Sequence, residues 1–278
     1  VSGGCSHQHY VASTSQGECE LTELKLVDYQ VRDRVAVLNM RREPVNAINH
    51  ELIEDILSAY RAADADDSVR AIILTSACSK AFSAGMDLAM IRGRRGLDLR
   101  RYLEKLYYAM HDLQYRMSKP TIAAVNGPAR AAGVTLAVSC DCIIAADDVD
   151  FSYPEINVGV IPAMHYVHLP RQIGRHLAFE LLFTGDTIDA PQAAQRGLIN
   201  RAVPRESVLD EAQALAAKFA SKSPVVMQIA RGSFMRANDS EYRRNIENQV
   251  ETICNIIDTD DAQEGLNAFV EKRAPDWS

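Results

Sequence analysis

Residues 120–162 read PTIAAVNGPARAAGVTLAVSCDCIIAADDVDFSYPEINVGVIP, and the rest of the chain is organised around them. Residues 121–125 are a short apolar run with the pattern of a buried strand. Asn126-Gly127-Pro128 then marks a turn. Small residues follow, Ala129, Ala131, Ala132 and Gly133, and open a helical apolar run that ends near Cys140. Small side chains at a helix start leave its first N–H groups approachable, and those groups have no partner inside the helix and carry partial positive charge. A second strand is expected over 142–146. Beyond it Glu155 stands between Pro154 and Ile156, a single carboxylate among apolar residues. Free backbone donors with one carboxylate downstream can stabilise an oxyanion and move a proton.

The flanking sequence extends this pattern in both directions. Upstream, 24–29 and 35–40 read as a hairpin around Arg32-Asp33-Arg34. Asn49 is placed to cap a helix with Leu52, Ile53, Ile56, Leu57 and Tyr60 on one face. Residues 69–75 are a strongly apolar, β-branched run, which predicts a buried strand. Residues 80–88, KAFSAGMDL, follow it as a loop that exposes its backbone. The basic stretch 92–101 is expected as a solvated loop that could also attract anions, and 102–117 as a helix. Strands alternating with helices give an α/β fold with a parallel sheet and right-handed crossovers. After Pro162 the pattern turns mainly helical, with helices expected over 176–184, 190–196, 206–220, 224–237, 241–257 and 260–272 and a short strand over 198–203. Gly185 and Gly197 are expected to stop the first two helices.

Composition narrows the function. The 278 residues carry 30 basic and 37 acidic side chains, a formal charge of −7, which argues against a nucleic-acid partner. No apolar run approaches the roughly 18 residues of a membrane helix. Residues 1–20 are Ser-, Gly- and His-rich and read as a flexible lead-in, followed by a core over 21–204 and a helical region over 205–278. The six cysteines are dispersed and read as reduced, mostly buried thiols, so a cytoplasmic location is expected. Cys140-Asp141-Cys142 lacks metal-site spacing, and no metal is expected.

Several motifs, in order, resemble the crotonase superfamily, the enoyl-CoA hydratase/isomerase family. They are AFSAGMDL at 81–88, VNGPA at 125–129, SCD at 139–141, PEI at 154–156, LFTG at 182–185, GLI at 197–199, Val203-Pro204 and the ending AFVEKR at 268–273. The resemblance implies a crotonase-like spiral of ββα units with a C-terminal helical trimerisation region, assembled as a homotrimer or a dimer of trimers. It implies an acyl-CoA thioester as ligand, with coenzyme A part of the substrate and no other cofactor. The backbone N–H groups of Met86 and Ala132 would hold the thioester oxygen, and Glu155 would be the acid/base. Ala47, Ser83, Ala84, Gly85, Asp87, Leu88 and Thr135 would line the ligand, and Lys272 would reach the nucleotide phosphates.

Hydratases of this family carry a second glutamate, and here that position is Thr135. A single glutamate points to enoyl-CoA isomerase or hydratase chemistry through a thioester enolate. The alternatives are a hydroxycinnamoyl-CoA hydratase-lyase-like enzyme or a non-catalytic acyl-CoA-binding relative. The lyases tend to carry a tyrosine where this chain has Ile91. His165, Tyr166 and His168 stand where relatives often have a glycine-rich run; they either line the acyl pocket or sit on a helix face.

Overall fold

A computed structural model describes residues 10–15, 18–239 and 241–277. Strands β1 (Tyr10–Ser15) and β2 (Glu18–Glu23) pair antiparallel. Part of the expected lead-in is therefore a hairpin; residues 1–9 lie outside the described residues. The expected hairpin at 24–40 forms from β3 (Val27–Arg32) and β4 (Val35–Met40), turning through Asp33 and Arg34 at φ 50 and 66. Helix α1 (His50–Ala65) starts at Asn49, whose side chain accepts from the Leu52 N–H at 2.8 Å. Its apolar face packs on β3 and β4. Strand β5 (Ala71–Ser76) is buried along its whole length, as its strongly apolar run leads one to expect.

Helix α2 (Gly96–Leu103), a π-helical segment (Glu104–Ala109) and α3 (Met110–Arg116) follow in one continuous rod. Residues 92–95 of the basic stretch are thus an exposed turn, as expected, while 96–101 enter α2. Arg92 bonds Asn267 and Glu271 at 2.8 and 3.0 Å, Arg95 donates to the Asp258 carbonyl at 2.9 Å, and Arg100 makes a two-pronged bond to Glu251. These arginines tie the rod to the C-terminal helices.

Next come β6 (Thr121–Val125), β7 (Ala129–Arg130), α4 (Ala132–Val138), β8 (Cys142–Ala146) and β9 (Asp150–Ser152), then a 3-10 turn over Pro154–Val158. Helix α5 (Ala163–Ile173) carries the two histidines on its buried side. Then follow α6 (Arg175–Thr184), β10 (Thr187–Asp189), α7 (Ala190–Arg196) and β11 (Arg201–Val203). Gly185 and Gly197 stop α6 and α7 at φ 73 and 85, where a side chain would be strained. The last elements are α8 (Val208–Ala220), α9 (Pro224–Asp239), α10 (Tyr242–Ile257) and α11 (Asp260–Glu271).

The strands make a six-stranded sheet, β11-β8-β6-β5-β4-β3, parallel except for the β3–β4 hairpin, and a three-stranded sheet, β10-β9-β7. Helix α8 lies across β4, β5, β6 and β8. Arg231 of α9 is buried and fixes that helix to the core. It pairs with Asp141 at 2.9 and 3.0 Å and donates to the carbonyls of Met117 and Gln114 at 2.6 and 2.7 Å. Cys78, Cys140 and Cys254 are buried free thiols, and Cys142 is half-buried. No helix among the described residues is long and apolar enough to cross a membrane.

Candidate active site

Two loops meet at the ends of β5 and β6. The loop after β5 bonds the strand after β6 edge to edge: the Phe82 N–H donates to Pro128 O at 3.0 Å and the Arg130 N–H to Ser83 O at 3.0 Å. Glycines let the backbones touch. A Cβ at Gly133 would lie 2.4 Å from Ser83 O, and one at Gly127 would lie 2.7 Å from the Phe82 nitrogen. Gly85, at φ 88, sits against the start of α4: a Cβ there would be 3.3 Å from the Ala132 nitrogen. The residue after Gly85 is Met86, so the two motifs bring the backbones of Met86 and Ala132 together. The peptide on either side of Met86 is committed: Ile48 N–H donates to Gly85 O at 2.7 Å and Asp87 N–H to Ile48 O at 3.0 Å. Neither the Met86 nor the Ala132 N–H has a protein acceptor among the described residues.

The small sheet leads into the segment that carries Glu155. Strand β9 pairs in parallel with β7, and the Ala131 N–H donates to Ser152 O at 3.0 Å. Glu155 comes three residues later, in the first turn of the 3-10 segment. Its Oε2 is wholly buried and has no hydrogen-bond partner. Burial pushes the carboxyl up to about 8 from the ordinary 4.5, because an ion there has lost its water. Tyr107, Tyr153 and Tyr166 lie close enough to feel its charge, and burial first and that charge second raise all three phenols.

The remaining predicted residues divide by role. Asp87 braces the loop: one oxygen accepts from the Ala89 N–H at 3.2 Å, the other from Arg42 at 2.7 Å. Arg42 also donates to the carbonyl of half-buried Ala47 at 2.7 Å, so it clamps both sides of the loop. Ser83 corrects the ligand-contact expectation. It is fully buried, its hydroxyl donates to Asn46 O at 2.8 Å and accepts from the Gly85 N–H at 3.2 Å, and it shapes the loop instead. Ala84 is exposed and Leu88 half-buried beside it. Lys272 is not brought into this group; it ends α11 at the surface in the left-handed region, at φ 55.

Thr135 and the two histidines form a chain that sequence reasoning left open. Thr135 Oγ1 lies 3.3 Å from His165 Nε2, His165 Nδ1 lies 2.7 Å from His168 Nε2, and His168 Nδ1 lies 3.0 Å from the Gln172 side-chain amide. Burial drives both rings toward the neutral form, His165 well below its ordinary value and His168 to about 4. Thr135 and His168 border a cavity of about 710 Å³, whose other walls include Leu106, Tyr107, Met110 and Met164. Among the described residues, no cluster of His, Cys, Asp and Glu could hold a metal ion.

The family model for enoyl-CoA hydratase/isomerase matches residues 30–278. The chain belongs to the enoyl-CoA hydratase/isomerase family. It is 35% identical to a probable enoyl-CoA hydratase of Mycobacterium tuberculosis over 257 residues, covering 92% of this chain and 98% of the relative. It is 32% identical to the 2,3-dehydroadipyl-CoA hydratase of Escherichia coli, covering 88% and 96%. Among solved structures, an enoyl-CoA hydratase/isomerase from Xanthobacter autotrophicus Py2 superposes with a TM-score of 0.80 at 30% identity, covering 90% of this chain and 97% of that one. The crotonase fold and an acyl-CoA enzyme of this family, both expected from the motifs, are therefore shown.

Proposed function

We propose that the chain binds an acyl-CoA thioester with its carbonyl oxygen between the N–H groups of Met86 and Ala132, and that Glu155 is its single acid/base. The observations that support this are two backbone donors without partners among the described residues and a buried, unpartnered carboxyl oxygen on Glu155. The donors stabilise the enolate that forms when a proton leaves the α- or γ-carbon. A carboxyl that titrates near 8 can take that proton and return it to another carbon. Double-bond migration needs no more than this, and it is the reading we favour. Hydration is the second reading, supported by the hydratase names of the relatives. Retro-aldol lyase chemistry and binding without turnover are the remaining outcomes.

The cavity beside Thr135 receives the acyl group, and its mostly apolar wall suits a hydrocarbon or aromatic chain. The assembly is a trimer or a dimer of trimers. Exposed Val225, Val226, Ile229 and Phe234 on α9 and Phe269 on α11 support it, since these apolar faces need cover. Lys272, at the end of α11, then meets the coenzyme A phosphates across a subunit boundary, and no further cofactor is used. The work takes place in the cytoplasm.

The test is a panel of 2-enoyl, 3-enoyl and 3-hydroxyacyl-CoA esters, with light scattering on the same samples. Migration should exceed hydration, from a trimer or hexamer. Tight binding without turnover of any ester would leave a non-catalytic relative, and a monomer across micromolar concentrations would remove the assembly.

A further inference from the structure

We propose that His165 is a positioning residue for the oxyanion hole: it holds the Ala131–Ala132 peptide by its carbonyl and so aims and strengthens the Ala132 N–H. This rests on the reading of Met86 and Ala132 as the two donors. The carbonyl of Ala131 and the N–H of Ala132 belong to one rigid trans peptide and point in opposite directions. Whatever grips the oxygen therefore sets where the hydrogen points. The grip is needed because Ala131 sits at φ 51, ψ −123, outside the regions where a residue with a Cβ rests. Its oxygen accepts from the Val134 and Thr135 N–H groups at 2.9 and 3.3 Å, the ordinary bonds of a first helical turn. The third contact is His165 Nε2 at 3.3 Å, from a buried ring on a different helix.

The direction of the histidine chain follows from the carbonyl. A carbonyl oxygen only accepts, so Nε2 of His165 carries the hydrogen. Both rings are neutral, so each has one N–H. Nδ1 of His165 is then bare and accepts from His168 Nε2–H across 2.7 Å. Nδ1 of His168 is bare in turn; the Gln172 atom placed 3.0 Å from it is Oε1, which only accepts, so this direction requires that amide turned over to present its NH2, amide oxygen and nitrogen being assigned by the network they join. The result is a one-way line of donors, Gln172 to His168 to His165 to Ala131 O, and bonds in such a line reinforce one another. The Tyr153 ring packs against the His165 ring at a steep angle, 4.5 Å centre to centre. Thr135 can accept from the same Nε2–H and keep its own hydrogen for the cavity.

Two measurements test this. Two-bond proton–nitrogen NMR on wild-type protein labelled at histidine should show the Nε2–H tautomer at both His165 and His168; Nδ1–H at His165 overturns the proposal, and this needs no variant. The second is the red shift in absorbance of a conjugated enoyl thioester, cinnamoyl-CoA or a 2,4-dienoyl-CoA, on binding, which reports how strongly the hole polarises the carbonyl. His165→Leu should lose at least half the wild-type shift and about 10- to 100-fold in kcat with little change in KM. His165→Gln, which can still donate to Ala131 O, should recover most of both. A shift and kcat in folded His165→Leu equal to wild type would overturn the role of His165 while leaving the hole intact. No shift in wild type that binds the ester would overturn the hole and this proposal with it.

Discussion

Glu155→Gln separates charge from shape at the centre of the site, because the amide keeps the size of the side chain and cannot ionise. The wild-type carboxyl is held at about 8, against 4.5 for an ordinary glutamate. To act as a base it must be ionised, and at pH 7 only about a tenth of it is. The kcat/KM for α-proton removal should therefore climb about tenfold from pH 6 to pH 7 and level off above 8. Glu155→Gln should lose about 100- to 10,000-fold and show no such rise. Stability carries the same signature with a defined sign. Between pH 4.5 and 8 the folded protein keeps a proton that the unfolded chain has released. The unfolded state binds fewer protons, so wild-type stability falls as pH rises through that window. The displacement from 4.5 to about 8, at about 1.4 kcal/mol per pH unit, amounts to about 5 kcal/mol once the group is fully ionised. The variant escapes this penalty, so its stability relative to wild type should improve from pH 5 to pH 8.5 in urea unfolding. A kcat/KM flat from pH 6 to 9, with a stability difference that does not move with pH, would refute both the buried carboxyl and its role.

Ala132→Pro removes one N–H at the first position of α4, where proline suits a helix, and should cut turnover about 100- to 1,000-fold in a protein with an unchanged circular dichroism spectrum; full turnover in that protein would take Ala132 out of the hole. Arg231→Met strips Asp141 of its buried partner and should cost about 3–5 kcal/mol in urea unfolding, whereas a loss under about 1 kcal/mol would show that the pair does not anchor α9. Arg100→Ala should leave the KM for acyl-CoA unchanged, because Arg100 is engaged by Glu251 of α10; a several-fold rise would return the basic stretch to the coenzyme A phosphates.

The frame of the fold was legible where one local signal matched one local structure. The strongly apolar run at β5, the Asn49 cap and the glycines at 185 and 197 each name their own conformation, and the elements lie where those signals put them. The strands at 121–125 and 142–146 came out with the expected bounds for the same reason. Residues whose partners are far away in the chain were not legible. Arg92 and Arg100 meet Glu271 and Glu251, some 150 or more positions on, and only tertiary structure brings them together. A basic stretch with no visible partner therefore reads as solvated. The hairpin over β1 and β2 was hidden by the Ser-, Gly- and His-rich stretch in which it lies, and α5 by its histidines and Pro170, poor helix signals that packing overrides.

The site shows the same division with a sharper consequence. Met86 and Glu155 were named because they stand in motifs and Ala132 because it opens the helix after one, but motif order does not say which of the flanking residues face a ligand. Ser83 faces inward to Asn46 and Gly85, and Arg42, which no motif contains, holds Asp87 and Ala47. Thr135 and His165 are 30 positions apart in sequence and 3.3 Å apart in space. A carboxylate at 135 would face the N–H of His165 and be drawn into an ion pair with that ring, lifting the ring's own protonation and removing the carboxylate from service as a second base. The threonine at 135 and the histidine at 165 are thus one physical arrangement. With a neutral hydroxyl there, the imidazole stays neutral and its single N–H goes to the Ala131 carbonyl, an arrangement that fits the proposed use of Glu155 as the single acid/base.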